Sequence, residues 1–197
     1  MKPHRTAELA RKTRETDIKV VLDLDGSGVP DVETGIPFLN HMLELFARHS
    51  LCDVTVQATG DLDVDYHHTV EDIGIVLGTC LDQALGDRRG IRRYGSLLLP
   101  MDESLCQVAI DLGGRPFLVY RISNEKQRIR DFDVKLVEEF FRAFVIQGRM
   151  NLHIHHLYGD EVHHVYESVF KAVARALRDA VEIDPRQAGV PSSKGVL

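Results

Sequence analysis

The sequence predicts an α+β fold made of a duplicated β-α-β-α unit, each half pairing its strands with helices packed on one side, and three observations predict it. Stretches that alternate apolar and polar residues, suited to half-buried strands, take turns with stretches whose apolar residues recur every three or four positions, suited to helices. The segments HHTVEDIGIVLGTCLDQAL and HHVYESVFKAVARALRDAV align without a gap at an offset of 96 residues, pairing His67 with His163, His68 with His164 and Glu71 with Glu167. Each is preceded by a predicted strand and, 24 to 26 residues upstream, by a predicted helix that carries His41 in one half and Glu139 in the other. A repeat of this kind reads as one supersecondary unit used twice.

The elements follow in order. DIKVVLDLDG (17–26) is a strand that enters a turn around GSGVPD. Ile36, Leu39, Met42, Leu43 and Phe46 keep a spacing near 3.6 and predict a helix with His41 beside its apolar face. LCDVTVQATGD (51–61) is a strand, and a helix over about 67–86 stops at Gly86, a common helix-ending residue. In the second half, SLLLPMDESLCQVAIDLGGRPFLVYRIS holds two or three strands with a GG turn. LVEEFFRAFVIQ (136–147) is helical, NLHIHHLYG is a short strand and 163–181 is a long helix. No break in composition separates the halves, so residues 1–197 are expected to be one domain, with repeats over about 11–92 and 93–184 and a turn-rich tail over 185–197.

Composition narrows the function classes. With 197 residues, 44% of them apolar, and 7 prolines, the chain suffices for one well-filled core or two fused halves. It lacks an apolar run of membrane-spanning length, and its start lacks the hydrophobic segment of a secretory signal, so the expectation is a cytoplasmic protein without a membrane partner. Cys52, Cys80 and Cys106 are odd in number and far apart, which suggests buried reduced thiols rather than a disulfide framework. A net charge of -6 with interspersed signs offers no cationic face for nucleic acid.

Histidine is the outlier, with 10 residues, most of them clustered. On a helix, positions 67 and 71 share a face, as do 68 and 71, whereas 67 and 68 point about 100 degrees apart. Adjacent histidines therefore tend to serve different ions, and a second copy of the motif can close both sets. Imidazole with carboxylate and no thiolate suits manganese, iron, zinc or nickel, with manganese favoured. The plain alternative, polar residues exposed at a helix start, fits one HH pair better than two equivalent pairs. His153 and His155 would share one face of a strand.

FLNHM, YHHTVEDIG, GIRRYG, PMDESL, DLGGRPF, HHVYESVFKAVARAL and PSSKG, in this order, resemble the imidazoleglycerol-phosphate dehydratase family from about Arg11 to the C-terminus. The resemblance implies a ribosomal protein S5 domain 2-like arrangement, with helices packed between two four-stranded sheets. It implies a hydro-lyase of histidine biosynthesis that converts D-erythro-imidazole glycerol phosphate to imidazole acetol phosphate. It also implies two Mn2+ per active site, ligands drawn from different subunits, and self-association to a 24-mer. Carried over by position, His41, His68, Glu71 and His164 form one metal set, and His67, His163, Glu167 and Glu139 the other. Glu139 stands where histidine is usual, and Leu45 where some relatives have a polar glutamine.

The same resemblance assigns the phosphate to Arg93, Arg115, Lys171, Ser193 and Lys194, with the tail as a flap over the substrate. Glu15 is the expected substrate contact and proton carrier, with Glu71 and Glu167 as alternatives. The chemistry accounts for a metal pair: a substrate imidazole bridging two cations loses its ring proton more readily. The imidazolate can then expel the C3 hydroxyl through a diazafulvene-like intermediate, and loss of the C2 proton gives an enol that ketonises. The rival readings are another dinuclear metalloenzyme acting on a small phosphorylated substrate, or an assembly protein glued by metal.

Overall fold

The computed structural model describes residues 5–122 and 128–197. The first half runs β1 (Thr6–Lys12), β2 (Thr16–Asp23), β3 (Pro30–Glu33), α1 (Pro37–Ser50), β4 (Asp53–Gly60) and α2 (His67–Leu85). The second runs β5 (Tyr94–Met101), β6 (Ser104–Asp111), β7 (Phe117–Arg121), a small hairpin of β8 (Arg128–Ile129) and β9 (Phe132–Asp133), α3 (Leu136–Gly148), β10 (Asn151–Tyr158) and α4 (Val162–Val181). The two four-stranded sheets have the orders β1-β2-β4-β3 and β5-β6-β10-β7, each ending in one parallel pair. The same path is thus traced twice.

Alternation decides which face of each sheet is covered. In β2, Ile18, Val20 and Leu22 are buried while Asp17 and Lys19 between them are exposed, the pattern of a sheet with one solvated face. Helix α2 packs on β1, β2 and β4, and α4 on β5, β6 and β10. Helix α1 then lies against α4, and α3 against α2, so the helices fill the space between the two sheets. Phe46, Phe140, Phe141, Phe144 and Phe170 meet in that layer. The three thiols are buried in the same core, and burial pushes Cys106 up to about 12. Among the described residues no helix is long and apolar enough to cross a membrane.

Two strands differ from the sequence reading. β1 is an edge strand whose inward residues, Ala7, Leu9 and Arg11, are only half-buried, so its apolar signal is weak. β3 is four residues long and occupies part of what reads as a turn. The last predicted strand residue of the GG-turn segment, Ser123, lies outside the described residues.

Glycine sets the helix spacing. A Cβ on Gly74 would lie 2.6 Å from the Phe140 carbonyl oxygen, and one on Gly78 2.5 Å from that of Phe144. Helices α2 and α3 therefore approach backbone to backbone, which only residues lacking a side chain permit. Alanine improves helix propensity by about 1 kcal/mol, yet here the neighbour is a backbone carbonyl that cannot move cheaply. Gly78→Ala is expected to destabilise the fold by about 1–3 kcal/mol, read as a lower urea midpoint at fixed protein concentration.

Candidate metal centre and phosphate pocket

Both HH pairs sit in the first turn of their helices because an acid caps them from two residues upstream. Asp65 accepts the His67 backbone N–H at 2.8 Å, and Glu161 accepts that of His163 at 3.1 Å. Such caps satisfy amides that have no partner inside the helix. The one-turn spacing then brings His163 Nε2 to 3.0 Å from Glu167 Oε2 on α4, and His67 Nε2 to 3.5 Å from Glu71 Oε2 on α2.

Packing of α1 on α4 adds a third donor. His41 Nε2 lies 3.3 Å from Glu167 Oε2, and His41, His163 and Glu167 each offer one ligand atom within 4.8 Å of the others. Glu167 is 8% exposed. Burial alone would raise its pKa, but hydrogen bonds from Lys171, whose Nζ is 2.5 Å from Oε1, and from His41 and His163 outweigh it and hold the carboxyl at about 2. It is an anion at every working pH, with one ammonium and two imidazoles converging on its two oxygens.

The carry-over by resemblance puts His41 with His68, Glu71 and His164, whereas within the chain His41 meets His163 and Glu167. The reason is the turn of the helix: His163 and Glu167 point toward α1, while His164, one residue on, points away. His164 Nδ1 instead lies 2.8 Å from Glu103 Oε2, and His68 Nδ1 3.0 Å from Asp61 Oδ2. These hydrogen bonds raise the pKa of both imidazoles. Glu15, on the turn between β1 and β2, is exposed and 3.9 Å from His68 Nδ1. Glu139 lies on α3 with Arg142 3.7 Å away, outside the His41 group.

A second cavity, about 340 Å3, gathers Arg93, Arg115, Ser193 and Lys194 with Gly113 and the C-terminal residues. Arg93 is already engaged: Nε and Nη2 donate to Asp111 at 2.6 and 3.1 Å, and Nη1 donates to the Pro191 carbonyl at 2.9 Å. Its guanidinium clasps the tail, and Arg115 and Lys194 bring two further cationic side chains to the cavity. Lys171 is apart from this group, on Glu167. Leu45 packs partly buried against the core. His153 and His155 share the outer face of the second sheet, while His156 is buried on Ser104.

Asp61, Glu103 and Asp111 escaped the sequence reading. Their signal was present only as acids inside quoted motifs, since each acts on a histidine or arginine at least seven residues away.

A duplicated α+β frame with this imidazole and carboxylate centre is that of a hydro-lyase, an enzyme that removes water by breaking a carbon–oxygen bond, as comparison with known proteins shows. The sequence model of a family described as imidazoleglycerol-phosphate dehydratase matches residues 34–177. The imidazoleglycerol-phosphate dehydratase of Methylorubrum extorquens is 57% identical over 194 residues, covering 98% of this chain and 100% of that protein. That of Geobacter sulfurreducens is 55% identical over 193 residues, covering 98% and 99%. The crystal structure of imidazoleglycerol-phosphate dehydratase from Staphylococcus aureus superposes with a TM-score of 0.83 at 39% identity, covering 91% of this chain and 99% of that one. A Pyrococcus furiosus structure, in complex with (S)-C348, gives 0.82 at 35% identity, covering 96% and 100%. The chain belongs to the imidazoleglycerol-phosphate dehydratase family, whose reaction serves histidine biosynthesis.

Loss of the Arg93 clasp is expected to release the tail. In Arg93→Ala, amide exchange over residues 186–197 should rise sharply, while α2, which Arg93 does not touch, keeps its protection.

Proposed function

We propose that the chain dehydrates D-erythro-imidazole glycerol phosphate to imidazole acetol phosphate with two Mn2+ per active site, as a cytoplasmic enzyme assembled from 24 subunits. The observation that carries the reading is the convergence of His41, His163 and Glu167 from two helices onto one cluster of ligand atoms. Two imidazoles and a carboxylate, with every thiol buried elsewhere, fit manganese. His41, His163 and Glu167 would hold one ion, and His67 with Glu71 would contribute to the other. His68 and His164, which stand outside the His41 group, would complete the sets of a neighbouring copy. When bound, the ions supply positive charge that makes the ring proton of the substrate's imidazole easier to remove.

The protein's own groups do the rest. Arg115, Ser193 and Lys194 would take the phosphate in that cavity, with Arg93 holding the tail that walls it, while Lys171 stays paired with Glu167 on α4. Net loss of the C3 hydroxyl and the C2 proton gives an enol, which ketonises, so a base must take one proton and an acid must deliver another. Glu15 is suited to both tasks, because it is exposed and lies beyond hydrogen-bonding range of His68. Glu71 and Glu167 are alternatives, but each is already on a histidine. Closure of the 185–197 tail excludes water while the substrate is electron-poor.

Chelation should abolish turnover of imidazole glycerol phosphate and Mn2+ should restore it. A stripped protein that stays fully active removes the metal reading. His41→Ala and Glu167→Gln should each lose turnover together with one class of bound Mn2+. Arg115→Ala should mainly raise KM, by about 10- to 100-fold, corresponding to the about 1.5–3 kcal/mol of a charged hydrogen bond. An equal loss in kcat at unchanged KM contradicts its role in holding phosphate.

A further inference from the structure

Two histidine–carboxylate hydrogen bonds lie outside the His41, His163 and Glu167 cluster. His68 donates from Nδ1 to Asp61 at 3.0 Å, and His164 donates from Nδ1 to Glu103 at 2.8 Å. An imidazole whose Nδ1 carries the proton has its free lone pair on Nε2, and a carboxylate on Nδ1 both fixes that tautomer and makes Nε2 the stronger ligand.

The repeat shows how the two carboxylates arose. Glu15 is the residue directly before β2, and Glu103 the residue directly before β6, strands that hold the same place in the two sheets. Glu15 and Glu103 are therefore counterparts, yet only Glu103 reaches its histidine. In the first half the contact comes instead from Asp61, the residue directly after β4. The halves have built the same Nδ1 contact from different positions, so the contact is kept although its source is not. Asp61 also keeps its second oxygen buried without a hydrogen-bond partner among the described residues, a cost that a merely structural acid could avoid.

We propose that Asp61 and Glu103 are positioning residues that hold His68 and His164 in the tautomer with Nε2 free to coordinate metal, and that the substitution of Asp61 in this task leaves Glu15 available for proton transfer. The inference rests on the metal reading above. Its scope is narrower, since it concerns which nitrogen of each histidine is offered and what makes it so.

The test is Mn2+ titration of the metal-stripped full-length protein, with free ion read by electron paramagnetic resonance. Asp61→Asn and Glu103→Gln should each weaken Mn2+ binding by about 10- to 100-fold, while the melting temperature of the metal-free protein stays at the wild-type value. A double-mutant cycle separates positioning from general damage: in a His164→Ala background, Glu103→Gln should cost no further affinity, because the imidazole it positions is gone and the amide oxygen of glutamine can still accept from the Glu161 backbone N–H. A full additional loss in that background overturns the proposal, as does undiminished Mn2+ affinity in both single variants. A wild-type protein that takes up no Mn2+ overturns the metal reading itself, which is a different result from wild-type uptake with indifferent variants.

Discussion

One carboxylate organises the centre of this molecule. Glu167 is nearly buried, and an anion there is tolerable only because His41, His163 and Lys171 converge on its two oxygens. Those partners come from two helices, so the interaction ties the docking of α1 on α4 to the chemistry of the cluster. The same side chain is pulled by a lysine on one oxygen and by two imidazoles on the other. Among the described residues, no thiolate joins that cluster.

That arrangement depends on close helix packing elsewhere. Gly74 and Gly78 let α2 press its backbone against α3, and the buried Arg88 donates to the carbonyls of Leu112, Gly148 and Arg149 and to Asp82. This guanidinium joins the end of α2 to the ends of α3 and β6, so the two halves are fastened at the end of the layer remote from the histidines. A fully satisfied buried arginine holds geometry more than it adds stability. It leaves the histidine-bearing helix starts at the opposite end, with His41 and His163 both still about two-fifths exposed.

Duplication supplied twin motifs, and divergence gave the copies different surroundings. His163 gained His41 as a neighbour, while His67 is left with Glu71. The outer histidines of each pair took acids from different loops. The two motifs thus keep the same residue types with different electrostatic support.

What the sequence determined by itself was everything carried by local spacing. The helices bearing HHxxE, the shared face of His163 and Glu167, the repeat and the family motifs are all set within a turn or two of helix, and period and order reveal them. The weak edge strand β1 and four-residue β3 were invisible because half-burial leaves little alternation to read. Tertiary structure alone decided which residues meet: His41 reaches Glu167 across 126 positions, and Arg93 holds Pro191 across 98. It also decided that Asp61 rather than Glu15 accepts the hydrogen bond of His68 Nδ1. Contacts of that range follow from how helices dock and loops end, and loops of unequal length in the two halves hide the correspondence from any ungapped comparison of one half with the other.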